Sequence, residues 1–188
     1  MCQEVQNPSE MVGVCTRKSR QTVYSATRAE VREKNLPHRA SFVVILNSAE
    51  THILVQKRST SKETYPSYFD PCPGGVVGPS ESYLENMVRE LDEEMGIVIG
   101  SKLADEPVDP LFDFWFENDI TRLWGRVFKM QFAGTIADLK LQVFHLMLRL
   151  VARMLLDLVM MAAVILICPM RAVPRGVLRP KRSSQCSG

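Results

Sequence analysis

Short apolar runs punctuated by Pro, Gly and Asn make up most of the chain, with a single longer stretch of helical period in the middle. Glu10–Arg17 (EMVGVCTR) is a brief apolar stretch after a proline and reads as a strand. Thr27 followed by Glu30 has the form of a capping box that opens a short helix to about Lys34, ended by Asn35-Leu36-Pro37. β-Branched and aromatic residues then dominate Ala40–Ser48 and Thr51–Ser59, and a two-residue turn between the two runs predicts adjacent strands. The segment YPSYFDPCPGG (Tyr65–Gly75) holds three prolines and two glycines, which predicts a structured loop rather than a regular element. After a polar loop over Ser101–Pro110, the runs LFDFWFEND and TRLWGRVFKMQFAG alternate apolar with polar residues and predict two or three strands. Strands, one strong helix and more strands make a mixed α/β pattern.

The helix starts at Ser80 or Ser82 and ends at Gly96, a residue type suited to the left-handed position that closes helices. At about 100° per residue, Leu84, Met87, Val88, Leu91 and Met95 gather on one side. Glu90, Glu93 and Glu94 fall within roughly 100° of arc on another, and Asp92 lies on a different face. Like charges at these spacings cost a helix a few tenths of a kcal/mol per pair in water, and more where water is excluded. Arg89, four residues after Glu85 and four before Glu93, is placed to clamp the row, yet one guanidinium cannot neutralise three carboxylates. A divalent cation could; a plain solvated acidic face is the alternative. Mg2+ suits such a set, because it takes oxygen ligands and is commonly completed by substrate phosphates.

Charge divides the chain. Residues 1–140 carry 16 Lys/Arg against 20 Asp/Glu, a net of −4, whereas 141–188 carry seven against one, a net of +6. With 188 residues, 46% of them hydrophobic, the chain suffices for one ordinary core and is short for two. Five cysteines, widely spaced and without a C-x-x-C pair, point to a reduced intracellular compartment, and a cytoplasmic location is expected. The first ten residues have neither a basic nor an apolar run, so no secretory signal is expected. The basic tail has no interleaved aromatic residue and reads as solvated, so neither a specific nucleic-acid partner nor membrane contact is expected.

The pattern Gly75-x5-Glu81-x7-Arg89-Glu90-Leu91-x-Glu93-Glu94-x-Gly96-Ile97 matches the Nudix box at each of its nine fixed positions over 23 residues. The chain thus resembles the Nudix hydrolases. The resemblance implies an α/β/α sandwich with a mixed sheet, in which the box forms a loop–helix–loop. It implies that Glu90, Glu93 and Glu94 hold Mg2+ or Mn2+, assisted by the Gly75 carbonyl, that Arg89 orients the carboxylates, and that Glu81 supports the loop. Glu90, Glu93 and Arg89 are then the catalytic candidates. The expected reaction is hydrolysis of a phosphoanhydride in a nucleoside diphosphate linked to another moiety, a small-molecule diphosphate substrate.

Beyond the box, NLPHRASFVVIL, ILVQKRS, SYFDPCPGGVV and ENDITRLWGRVF resemble a Nudix branch close to isopentenyl diphosphate isomerase, over about Glu10–Leu141. The isomerase is the runner-up. His38 matches one of its metal histidines, and Glu117 and Asp119 stand where that family has two acidic residues. Val31 and Val76 fall where two further histidines belong, and Gly74 falls at the catalytic cysteine. Cys72 lies two residues away, but a cysteine in a Pro-rich loop is more often a packing residue than a nucleophile. Arg58 and Lys62 flank the loop that leads to the box and are candidates to hold phosphate, against a reading as solvated strand-end cations. Glu117 and Asp119 join them as substrate-binding candidates through the resemblance. Trp115 and Trp124 are read as core aromatics rather than base-stacking platforms. A catalytically silent binding module on the same fold is a further alternative, although no box carboxylate is missing.

From Val143 the text turns to Leu, Val, Met and Ala, and after Cys168 it becomes basic and Pro/Gly-punctuated, so the elements that close related domains are not recognisable. A tail anchor, a buried amphipathic helix and an altered reading frame compete as explanations, and a helix is expected over about Val143–Cys168. The expected organisation is an extension (1–9), the Nudix-like domain (10–141), an apolar helical segment (142–168) and a basic disordered tail (169–188). The oligomeric state is left open.

Overall fold

A computed structural model describes residues 7–60, 66–101, 104 and 108–139, together with the backbone of 145–149. Among the described residues, nine strands form one mixed sheet: β1 (Met11–Thr16), β2 (Ser19–Thr27), β3 (His38–Asn47), β4 (His52–Lys57), β5 (Phe69–Asp70), β6 (Gly74–Val76), β7 (Asp109–Glu117), β8 (Arg122–Phe132) and β9 (His145–Arg149). β3 is the hub. It runs parallel to β8 along its whole length, from His38 opposite Leu123 to Asn47 opposite Phe132. Antiparallel β1, β6 and β4 also pair with it.

Alternation along β3 sorts the core into two faces. Val43 and Ile45 pack with Met87, Leu91 and Met95, and with Phe128, Met130 and Phe132 of β8. Val44 and Leu46 point the other way, toward Val55, Cys72 and Val127, with Phe42, Phe112 and Phe114 against them. A third cluster, Val12, Val14, Ala26 and Val31, seats the short helix α1 (Arg28–Glu33), whose Thr27 cap accepts the Glu30 N–H as the sequence predicts.

The mid-chain helix departs from expectation in its second half. α2 spans Tyr83–Glu90, opened by a Ser82–Glu85 capping box, and continues as a π-helical turn over Leu91–Met95. Gly96 closes it at φ 69°, in the left-handed region, while its N–H bonds the Asp92 carbonyl and Ile97 N–H bonds that of Leu91. Leu84, expected in the core, is exposed, and Tyr83 is buried instead. The Pro-rich loop holds more regular structure than predicted: Phe69–Asp70 pairs with β4, and Gly74–Val76 pairs with β3. β2 is an edge strand whose polar, mostly exposed residues conceal it from an apolar pattern.

At the end of the described chain, His145–Arg149 is a strand antiparallel to β4, where the sequence predicts the start of a helix. Leu146 opposite Val55 and Leu148 opposite Ile53 place the segment on the edge of a sheet that supplies its backbone partners. The rest of the expected helix, the closing layer of the sandwich and the basic tail lie outside the described residues. No helix among the described residues is long and apolar enough to cross a membrane.

Candidate active site

Glu90, at the end of α2, meets the sheet at β6. Gly75 lies opposite Ser41 in the β3–β6 register and so faces α2. The Glu90 carboxylate occupies the space where a side chain of residue 75 would stand, so that even a Cβ there would collide with it. This explains a glycine at that position: it lets a charged group settle against backbone.

Glu90 is consequently poorly solvated, with only 16% of its side chain exposed. Burial, and then repulsion from Glu94, push its pKa from the usual 4.5 to about 7, against the pull of Arg89. Glu90 and Glu94 also line a small cavity with Pro73, Gly74 and Met87, of about 10 Å3, room for roughly one water. Glu93 lies on the outer side, half exposed.

Arg89 ties this row together: it takes Glu93, as the spacing suggests, but Glu81 in place of Glu85. Its guanidinium reaches Glu81 (Nε to Oε1, 2.9 Å), Glu90 (Nη1 to Oε1, 3.1 Å) and Glu93 (Nη1 to Oε2, 2.9 Å). Glu85 is instead committed to the capping box. Glu81 is the anchor: its carboxylate also accepts the Gly78 N–H (2.9 Å) and the Asn86 amide (3.0 Å). Burial alone would raise the Glu81 pKa, but the hydrogen bonds from Arg89, Gly78 and Asn86 hold it below the usual carboxylate range. The same Glu81 contact pushes the Arg89 guanidinium up, so Arg89 is permanently charged.

Among the described residues, no three His, Cys, Asp or Glu side chains already converge on one point as metal ligands. The donor chemistry nonetheless fits a hard divalent cation. Glu90, Glu93 and Glu94 are oxygen donors, and Glu90 is a crowded, desolvated carboxyl whose ionisation an adjacent cation would favour.

The other candidates are dispersed. Arg58 is ion-paired with Asp70 (3.0 Å) beside β5, so its charge is already met within the loop, and Lys62 lies outside the described residues. Glu117 and Asp119 sit at the β7–β8 turn, by the His38 end of β3. This is three positions along the strand from Ser41 and Gly75, or about 10 Å. There Glu117 takes Arg122 (3.2 Å), Arg17 (3.5 Å) and the Trp115 indole N–H (3.2 Å), and Asp119 is exposed.

Trp115 and Trp124 are half-buried on the sheet surface rather than in the core. They meet edge to face at 5.6 Å, with Arg17 over Trp115 and Arg20 over Trp124. His38 donates Nδ1–H to the Leu36 carbonyl (3.0 Å), and burial lowers its pKa. Cys72 is buried, and burial followed by the nearby Asp70 pushes its thiol far above the usual range, the opposite of an activated thiolate. Both cysteines of the described residues, Cys15 and Cys72, are free and buried.

Two contributors escaped the sequence reading. Asn86, fully buried on α2, and Ser41, fully buried on β3, hydrogen-bond each other beneath the carboxylate row. An asparagine amid the apolar residues of an amphipathic helix is the signal that could have drawn notice.

The family model for the NUDIX domain matches residues 36–137, which hold β3 through β8, the carboxylate helix and the Gly75 loop. The chain belongs to the Nudix family. An uncharacterized Nudix hydrolase of Pseudomonas aeruginosa is 39% identical over 118 residues, covering 63% of this chain and 64% of that protein. One of Yersinia pestis is 36% identical over 115 residues, covering 61% and 59%. This Nudix chain thus spans about three fifths of the length of the curated relatives it matches. A crystal structure of a Deinococcus radiodurans protein shares the fold at TM-score 0.55 and 22% identity, over 67% of this chain and 74% of that one.

Proposed function

We propose that this Nudix chain is a metal-dependent hydrolase that cleaves a phosphoanhydride in a nucleoside diphosphate linked to another moiety. The observation that carries the reading is the Arg89 clamp, which unites Glu81, Glu90 and Glu93 while Glu90 rests on Gly75. Glu90, Glu93 and Glu94 would hold Mg2+ or Mn2+, with the Gly75 carbonyl assisting. When bound, such an ion neutralises charge that develops on phosphoryl oxygens and makes water a better nucleophile. Arg89 orients the carboxylates, and Glu81 fixes Arg89 and the loop at Gly78. Burial of Glu90 keeps that end of the row away from water, which strengthens the charge interactions there.

The isomerase reading needs an acid–base thiol, and the buried, proton-retaining state of Cys72 supports the hydrolase over it. Phosphate binding by Arg58 and Lys62 and substrate contact by Glu117 and Asp119 belong to the same proposal. For Arg58 it requires exchange of Asp70 for a phosphate.

The test is a panel of nucleoside diphosphate derivatives with Mg2+, alongside isopentenyl diphosphate, run on the unmodified chain and on Glu93→Gln. Cleavage into a nucleoside monophosphate and a phosphorylated moiety, collapsing in Glu93→Gln, is expected. Hydrolysis untouched by that substitution would remove the metal role. Double-bond migration without phosphoanhydride cleavage would promote the isomerase, and no turnover by the folded protein would favour a binding module.

A further inference from the structure

We infer that Asn86 is a positioning residue for the carboxylate site, joining in one side chain the strand that receives Glu90 and the clamp that holds Arg89. This rests on the metal-site reading above. Asn86 lies outside the fixed positions of the box, is fully buried, and has its amide bonded at both ends. Its Oδ1 accepts the Ser41 hydroxyl at 2.5 Å. One Nδ2 hydrogen goes to the Val76 carbonyl (2.8 Å) and the other to Glu81 Oε2 (3.0 Å).

The destinations of these three bonds matter more than their number. Val76 follows Gly75 in β6, so the first N–H pins the short strand against which Glu90 rests. Ser41 is the register partner of Gly75 across β3–β6, so the carbonyl end is anchored at the same level of the sheet. The second N–H reaches Glu81, whose two oxygens take Arg89 Nε (2.9 Å) and Nη2 (3.3 Å). The carboxylate row is thereby referenced to the sheet through a polar link in addition to the packing of Tyr83, Met87, Leu91 and Met95. A buried amide is tolerated because its two donors and its acceptor are all met.

The test measures Mn2+ binding by the full chain, from the free-ion EPR signal, for Asn86→Ala and for Val12→Ala, a core truncation in a different cluster that calibrates lost stability. Asn86→Ser serves if Asn86→Ala fails to fold. Mn2+ affinity is expected to fall on the order of tenfold in the Asn86 variant and to hold in Val12→Ala, as for other residues that orient metal ligands. In a Glu81→Ala background the Asn86 effect is expected to shrink to the part exerted through Val76 and Ser41, because the two share the path to Arg89. Affinity within twofold of the unmodified chain, or an undiminished effect without Glu81, overturns the assignment. An unmodified chain that binds no Mn2+ overturns the metal reading itself, and the Arg89 Nε–H NMR resonance then decides Asn86. A shift in Asn86→Ala but not in Val12→Ala upholds its hold on the clamp, and an unmoved resonance overturns it.

Discussion

Glu90 lies directly over the α-carbon of Gly75, with its carboxylate where a Cβ would be. The adjacent Gly74 is tight for another reason: a Cβ there would run into the Ser41 carbonyl and the backbone of Phe42. The two glycines therefore separate function from folding. Gly75→Ala meets only the end of a flexible side chain, so Glu90 is expected to swing away, with Mn2+ affinity reduced tenfold or more at nearly unchanged melting temperature. Gly74→Ala meets backbone and is expected to cost roughly 1–3 kcal/mol or more of stability in denaturant titration. Equal losses of stability in both variants would contradict this division.

The raised pKa of Glu90 sets a pH dependence opposite to that of most paired carboxylates. Its folded pKa of about 7 exceeds the usual 4.5, so the folded state holds the proton more tightly than the unfolded chain does. Below about 4.5 the group is protonated in both states, its contribution is fully present, and stability does not vary with its titration. Between about 4.5 and 7 ionisation is held back in the folded state, and its contribution to stability falls as pH rises. The metal-free protein is expected to show this decline in melting temperature, and Glu90→Gln to flatten it. Added Mg2+ is expected to raise the melting temperature more above pH 7 than near pH 5, because the ion binds the ionised form.

Arg89→Lys tests the clamp. A lysine keeps the charge but cannot reach Glu81, Glu90 and Glu93 through a planar fork of donors. Turnover of a hydrolysed diphosphate is expected to fall about 10- to 100-fold, with Mn2+ affinity falling in parallel. A variant with full activity would reduce the clamp to an ordinary surface ion pair.

Cys72→Ala separates the hydrolase from the isomerase. The thiol packs with Val44, Val55 and Val127, so its loss is expected to lower stability on the order of 1 kcal/mol while leaving phosphoanhydride hydrolysis at its original rate. Loss of turnover at a temperature where the variant is folded would return the thiol to the site.

Much of the domain was legible from local pattern. Thr27, Ser82 and Gly96 marked helix ends because capping is a contact between near neighbours in sequence. β3, β4 and β8 showed as apolar or alternating runs because the sheet buries them, and β7, half-buried at most, showed by its aromatic alternation. The polar edge strand β2, the two short strands of the Pro-rich loop and β9 were not legible, because each is defined by a neighbour's backbone rather than by its own side chains.

By itself the sequence determined the Nudix family and which carboxylates crowd one helix, since both depend on residue identity at set spacings. The tertiary structure alone decided that Arg89 pairs with Glu81 rather than Glu85, that Glu90 is the desolvated member of the row, and that Asn86 lies beneath it. Those outcomes depend on how α2 is turned against β3 and β6, and on the π-helical turn that ends the helix. Solvent exclusion and hydrogen-bond partners are properties of that packing, and a helical wheel drawn for α2 alone contains neither.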